Sequence, residues 1–135
     1  MVFKLVLMNA HLITQLGENS MKYKKQAIAD QQPSMNVEGV DAWLGDTFVS
    51  GGDKDKTICA GFFHLKAGKP LVYTYDYEEM KVIVDGEFFI TDSTGNTIHA
   101  TKGDVLYFAD GDTITFDTPT FGIGFFTGQR PPIPV

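Results

Sequence analysis

Short runs of apolar and aromatic residues, each ended by glycine, proline, asparagine or aspartate, follow one another along the second half of the chain. From residue 58 onward these runs recur at spacings of about 8–12 residues, which is typical of strands in an all-β barrel or sandwich. The run at 80–91 contains Asp85-Gly86, which predicts a turn or a bend within it. We therefore predict strands at 58–66, 80–91, 97–100, 105–108, 113–116 and 121–127.

The first half of the chain has a weaker pattern. Residues 42–49, around Trp43, predict another strand, and residues 3–14 predict a strand or a short helix. The polar stretch 21–32 predicts a solvated surface segment. Since no change of composition divides the chain, we predict one domain, in which residues 1–57 form an N-terminal extension that contributes strands to a barrel built by residues 58–135.

Charge and cysteine content restrict the partners. Seventeen acidic residues against eleven basic ones give a net charge of −6, so we expect neither a nucleic-acid partner nor an anionic membrane partner. The single cysteine, Cys59, is typical of a reducing compartment. No apolar run reaches the roughly 18 residues of a membrane span, and the apolar stretch 1–8 is too short for a signal peptide. We therefore expect a cytoplasmic protein.

Two segments share a glycine-rich frame. From Gly68 the chain reads GKPLVYTYDYEEMKVIVDG, with six residues between Glu79 and Gly86, and from Gly103 it reads GDVLYFADGDTITFDT. These segments resemble the two motifs of the cupin superfamily, in which a glutamate and histidines hold a metal ion. The resemblance implies a single-domain double-stranded β-helix, a jelly-roll barrel, with the N-terminal extension added to it. Because cupins commonly associate through sheet edges, it also implies a homodimer.

The amino-acid sequence of the first segment resembles one particular group of cupins. YTYDYEEMKVIVDG, together with the preceding AGFFHLK, resembles the small EutQ-like cupins of ethanolamine utilisation, over about residues 58–128. Where the cupin motifs carry histidines, this chain has Tyr73, Tyr75 and Ile114, so Glu79 alone keeps a possible ligand. A first-row metal needs three or four donors. We therefore expect no metal and no other cofactor.

Strand parity points to a different set of functional side chains. Tyr73, Tyr75, Glu79 and Lys81 share one parity, so if Glu79 faces the barrel interior, as the resemblance implies, the others do as well. Burying these charges is costly unless they pair with each other or with a polar ligand. We predict Glu79, Lys81 and Tyr75 as catalytic groups. The predicted substrate-binding residues are Tyr73, Tyr107, Phe116, Phe126 and His64.

These residues leave three functional hypotheses open. The first is a small-molecule enzyme without a metal, of the isomerase, lyase or cyclase type, in which Glu79 is the general base and Lys81 or a tyrosine is the acid or oxyanion partner. The second is a non-catalytic binding or accessory protein of a pathway such as ethanolamine utilisation, in which the Glu79–Lys81 pair only braces the barrel. The third is a metal-dependent cupin lyase or dioxygenase with unusual ligands drawn from Glu79, Asp76, His64 and Tyr75.

Overall fold

The computed structural model of the protein describes residues 20–133, which contain eight antiparallel strands and two short 3₁₀ turns, at Ala27–Ala29 and Lys54–Lys56. No helix within these residues is long and apolar enough to cross a membrane. The strands are β1 (Ala42–Val49), β2 (Cys59–Lys66), β3 (Leu71–Thr74), β4 (Glu79–Thr91), β5 (Thr97–Thr101), β6 (Val105–Phe108), β7 (Thr113–Asp117) and β8 (Phe121–Gly128). The all-β prediction is confirmed.

The two halves of the long strand β4 pair with different sets of strands. Its first half, from Glu79, pairs with β6 and β8, and β8 continues through β2 to β1. Its second half, from Glu87 to Thr91, pairs with β5 and β7, and β7 pairs with β3. The sheet therefore curls around one interior, and the two halves of β4 face different parts of it.

Most predicted strands agree with the structure to within one residue, but the stretch before Glu79 differs. The parity argument treated the residues from Tyr73 to Lys81 as one strand, but this strand is broken: β3 ends at Thr74, and residues 75–78 form a bent connection to β4. Of the turn or bend predicted at Asp85-Gly86, the structure has the bend: a bulge between Ile83 and Asp85 shifts the register while β4 continues. The strand or helix predicted for residues 3–14 lies outside the described residues.

Aromatic side chains fill the interior. Phe63 of β2 stacks on Phe88 of β4 with ring centroids 5.7 Å apart, and it meets Phe116 of β7 edge-on at 5.2 Å. Phe108 of β6 extends the cluster, with its ring 5.5 Å from that of Phe116. Burying three or four such rings, each with about 150–250 Å² of surface, supplies much of the hydrophobic stabilisation of a small domain.

The segments outside the strands complete the surface. The stretch predicted to be solvated, residues 21–32, is mostly exposed and includes the turn Ala27–Ala29. It leads into an isolated bridge between Ser34 and Trp43, which ties this segment to β1. Residues 129–133 form no strand, as their prolines predict.

Candidate functional site

An open cavity of about 1190 Å³ reaches from the interior of the curled sheet to its mouth. Residues 30–36 and 130–133 border the mouth. The inner wall combines two charged groups, three tyrosines and apolar rings: Glu79, Lys81, Tyr73, Tyr75, Tyr77, Phe63 and Phe116. A cavity of this kind, mostly apolar with a few convergent polar groups, is the usual form of a small-molecule site.

Glu79 and Lys81 stand next to each other on β4. They lie two positions apart on the strand, so both point inward, and only 2% and 3% of their surfaces remain exposed. The Lys81 Nζ lies 3.2 Å from Glu79 Oε2. The structure thus agrees with the strand parity that placed this pair inside the barrel.

Two tyrosines on the connection between β3 and β4 complete the surroundings of the carboxylate. The hydroxyl of Tyr75 donates to Glu79 Oε2 at 2.5 Å, and that of Tyr77 donates to Oε1 at 3.4 Å. Backbone hydrogen bonds to Asp112 and Gly111 hold Tyr75 in place. Burial, reinforced by the nearby Glu79 charge, raises the pKa of both phenols, so both stay protonated and act as donors.

The ammonium of Lys81 is surrounded by ring faces. Its Nζ lies 4.6 Å from the ring centroids of both Phe63 and Phe116, and 5.4 Å from that of Phe108. Gly124 of β8 leaves room for the lysine stem, since a Cβ at that position would lie 2.8 Å from Lys81 Cδ. Burial lowers the pKa of Lys81, and the neighbouring Glu79 opposes that change. The site therefore holds an amine that burial drives towards its neutral form.

A second ion pair lies at the mouth, and the sequence analysis missed it. Arg130 makes a bidentate contact with Asp46 of β1, with Nη2 2.8 Å from Oδ1 and Nη1 3.1 Å from Oδ2. The guanidinium also lies over the rings of Tyr77 and Phe126, at 5.4 and 5.6 Å. Burial disfavours the charge of Arg130, but the hydrogen bonds to Asp46 and Tyr77 outweigh it and raise its pKa. No local sequence motif predicts the pairing of Arg130 with Asp46, because the two residues are 84 positions apart.

The predicted substrate-binding residues occupy several places. Tyr73 and Phe116 line the cavity, whereas Phe126 is fully buried in the core behind it. Tyr107, predicted to bind substrate, points away from the cavity: the residue is 54% exposed on the outer face, and its hydroxyl donates to Glu78 at 2.7 Å. On β6 the side chains that point into the interior are those of Leu106 and Phe108.

His64 does not reach this cavity. On β2, Phe63 and Leu65 point inward, so His64 points outward, opposite Trp43 of β1. There it lines a separate depression of about 290 Å³. Its Nε2 is buried without a hydrogen-bond partner within the described part of the chain, and burial lowers the pKa of the imidazole.

The residues around Glu79 do not fit the metal that cupin motifs imply. Its three neighbours are two protonated phenols and the Lys81 ammonium, which already occupies the position of a cation at 3.2 Å. Across residues 20–133, no three histidine, cysteine, aspartate or glutamate side chains come close enough to hold a metal ion. Asp76 borders the cavity, but His64 lies on the opposite side of β2, so the ligand set of the metal hypothesis is not brought together.

Solved structures with the same fold include two EutQ proteins. A putative ethanolamine utilization protein Q from Salmonella typhimurium LT2 is 25% identical, with a TM-score of 0.57, over 67% of this chain and 70% of the other. The Clostridium difficile EutQ protein is 16% identical, with a TM-score of 0.59, over 82% and 81%. The polyketide cyclase RemF from Streptomyces resistomycificus is 12% identical, with a TM-score of 0.67, over 84% and 83%.

The sequence itself decides the family. No curated protein matches the chain. A family model described as the EutQ-like cupin domain matches residues 52–123, which is more than half of the 135-residue chain and includes the cavity residues of β2, β3, β4 and β7. The chain therefore belongs to the EutQ-like cupin domain family.

Proposed function

We propose that this small-molecule-binding cupin is a metal-independent acid–base enzyme of the isomerase, lyase or cyclase type. One observation carries the proposal: a buried carboxylate in a cavity, Glu79, accepts a hydrogen bond from Tyr75 at 2.5 Å and pairs with Lys81 at 3.2 Å. Buried charges with specific partners in a cleft are often functional, because a barrel does not need them for stability.

The three groups match the needs of proton abstraction next to a carbonyl. Glu79 is the general base that removes the proton. Lys81 stands beside it as a fixed donor and stabilises the negative charge that develops on the carbonyl oxygen, while the Tyr75 hydroxyl, which donates its proton to Glu79, holds the carboxylate in position. Isomerisation, elimination and aldol-type cyclisation all begin with this step. A structural neighbour that is a polyketide cyclase uses the same fold, which is compatible with the third of these reactions.

Hydrogen–deuterium exchange tests this proposal without a known substrate. The protein is incubated in D₂O with acetone, pyruvate, acetaldehyde and 1,3-cyclohexanedione, and loss of the α-proton signals is followed by ¹H NMR. We expect exchange faster than in buffer for at least one probe, and a loss of about 10²–10⁴-fold of that acceleration in Glu79→Gln. Glu78→Gln is the matched control, because Glu78 is the adjacent carboxylate and bonds Tyr107 on the outer face. Acceleration absent from wild type, or equal in both variants, would contradict the proposal.

A non-catalytic binding protein is the second candidate. The hydrogen bonds from Tyr75 and Tyr77 and the ion pair with Lys81 satisfy the Glu79 carboxylate within the fold, as expected of an internal brace. A ligand that binds the folded state raises stability by mass action. If a thermal-shift screen finds ligands whose binding survives in Glu79→Gln while no probe exchanges, the binding role is favoured.

We also propose that the protein is a homodimer. Several apolar side chains are exposed on the outer strand faces, among them Met80 at 56% and Val105 at 74%, which are neighbours on β4 and β6. Exposed apolar patches mark association surfaces. Light scattering coupled to size exclusion measures the mass directly, and a monomer at micromolar concentration would contradict this expectation.

A further inference from the structure

Lys81 stands where a protein places a nucleophilic amine rather than a simple counter-ion. Its Nζ has one polar partner within the described residues, Glu79 Oε2 at 3.2 Å, and otherwise faces the rings of Phe63, Phe116 and Phe108. An ammonium has three N–H donors, so two of them meet only ring faces. Burial penalises the charge of such an amine, so this ammonium gives up its proton more readily than that of an exposed lysine, and the resulting neutral amine has the lone pair needed for attack.

The lysine also borders the cavity. It lines the space of about 1190 Å³ together with Glu79 and the tyrosines, with 2% of its side-chain surface exposed, so a carbonyl compound in that cavity reaches Nζ once the rings around it move apart. Gly124 accommodates the stem, with no Cβ between the stem and β8. The amine is thereby held at the inner end of the cavity while the stem packs against the wall.

We propose that the substrate is an aldehyde or a ketone, and that Lys81 Nζ binds it covalently as an imine next to Glu79. This deepens the proposed function and rests on it, because it assumes that the cavity is a small-molecule site. It changes the role of Lys81 from a donor that only stabilises charge to the group that bonds to the carbonyl carbon.

The step balances with the groups at hand. Glu79 takes a proton from the Lys81 ammonium, and the neutral amine forms a bond from nitrogen to the carbonyl carbon while the C=O π electrons move to oxygen. One proton passes from nitrogen to that oxygen, giving a carbinolamine. The protonated Glu79 then delivers its proton to the hydroxyl, which leaves as water while the nitrogen lone pair forms the C=N bond.

The product keeps the electrostatics of the resting site. The protonated imine carries one positive charge opposite the regenerated Glu79 carboxylate, as the ammonium did, so bond formation leaves no buried charge unpaired. The iminium group makes the neighbouring C–H more acidic, and Glu79 is placed to remove that proton. The hydroxyl of Tyr75, 2.5 Å from Glu79 Oε2, holds the carboxylate in position for both transfers.

Reductive trapping tests the proposal. The protein is incubated at pH 7 with acetaldehyde, acetone or pyruvate and sodium cyanoborohydride, which reduces an iminium to a stable secondary amine, and the modified lysines are identified by peptide mass spectrometry. The exposed Lys22, Lys56 and Lys102 are internal controls in the same molecule. Because burial lowers the pKa of Lys81 and so raises its neutral fraction at pH 7, we expect Lys81 to be labelled faster than the controls with one probe or more. Labelling of Lys81 no faster than that of the controls, with all three probes, would overturn the inference.

Variants and the exchange assay separate the two proposals. In Glu79→Gln the amine is neutral more often, because the carboxylate no longer raises its pKa. The acid that protonates the leaving hydroxyl is gone, however, so dehydration slows and labelling of Lys81 falls towards the rate of the exposed lysines. Glu78→Gln leaves labelling unchanged, and equal rates in both variants overturn the step through Glu79. Circular dichroism verifies that each variant folds. Deuterium exchange without labelling of Lys81 refutes the imine and leaves the acid–base proposal standing. Labelling without exchange supports the imine and refutes proton abstraction. If neither labelling nor exchange is observed, both proposals are refuted.

Discussion

The two halves of β4 place chemically opposite side chains in the interior of the fold. The first half points Glu79 and Lys81 into the interior, beside the cavity, whereas the second half points Phe88 and Ile90 inward, with 0% and 3% of their surfaces exposed. Both halves belong to one continuous strand and pair with neighbours on both sides. The apolar half shows that this strand needs no interior charge to hold the sheets together.

The difference indicates where the fold gives up stability. A buried ion pair is rarely better than well-packed apolar side chains of the same volume, so the charged half is the weaker half. It is also the half that borders the cavity. Side chains that cost stability at a cavity wall are the ones retained for binding or chemistry, and the following experiments test that distinction.

The largest effect is expected from removing one member of the buried pair. Lys81→Met leaves the Glu79 carboxylate without its cation, and we expect a loss of about 3–5 kcal/mol in the free energy of unfolding. Glu79→Gln in the same molecule then restores most of it, because no buried charge remains. Ile90→Val is the control in the apolar half, with a cost of about 0.5–1.5 kcal/mol that Glu79→Gln does not relieve. Urea unfolding measures the wild type, the three single variants and the two double variants, and additive effects of Lys81→Met and Glu79→Gln would contradict the coupling.

The tyrosine contacts should show the next largest effect. Tyr75→Phe removes a buried hydrogen bond to a carboxylate, and we expect it to cost about 1.5–3 kcal/mol. Tyr107→Phe removes a hydrogen bond to Glu78 on the exposed outer face, and we expect a change within about 0.5 kcal/mol. If denaturant unfolding gives the same cost for both, the carboxylate of Glu79 is better solvated than its 2% exposure indicates.

Two glycines of β8 face the two halves of β4 and allow a steric comparison. A Cβ at Gly122 would lie 2.4 Å from the Phe88 ring and 2.7 Å from the backbone oxygen of Glu87, whereas at Gly124 it meets the flexible stem of Lys81 at 2.8 Å. Overpacking costs about 1–3 kcal/mol. We expect Gly122→Ala at the upper end of that range and Gly124→Ala at the lower end. Thermal unfolding ranks them, and the reverse order would show that the Lys81 stem is held rigidly.

The smallest effect is a pH dependence of stability. In the folded state, burial lowers the pKa of Lys81 below its ordinary value of 10.5. Between the lowered pKa and 10.5 the unfolded chain therefore binds more protons than the folded protein, and the free energy of unfolding rises with pH. The slope reaches at most about 1.4 kcal/mol per pH unit for one proton. The Lys81→Met/Glu79→Gln double variant lacks this rise. The raised pKa of Cys59 lowers the stability of both proteins as pH rises through 9.0, slightly less in the double variant, because Glu79 is the smallest of the causes that raise it.

Urea unfolding between pH 8 and pH 9.5 checks this difference. The upper limit avoids Tyr75 and Tyr77, whose raised pKa values lower the stability of the folded state once the unfolded tyrosines begin to ionise near pH 10. Parallel pH profiles for wild type and the double variant would mean that Lys81 remains fully charged throughout this range.

The sequence alone determined the strands and the placement of Glu79 and Lys81 on one face of their strand. The apolar runs and their glycine-rich ends are local signals, and β1 and β6 match the predicted bounds. The shared parity of Glu79 and Lys81 is equally local, because residues two positions apart on a strand face the same side. That this side is the interior came from the resemblance to the cupin motifs.

Tertiary structure decided what local signals leave open. In the strands that contain His64 and Tyr107, both faces carry apolar residues, so the sequence does not indicate which face points inward. The packing of Phe63 and Phe108 into the interior places His64 and Tyr107 on the outer face. The pairing of Arg130 with Asp46 joins residues 84 positions apart. Contacts of that range depend on how the sheets close around the aromatic core, which no window of sequence contains.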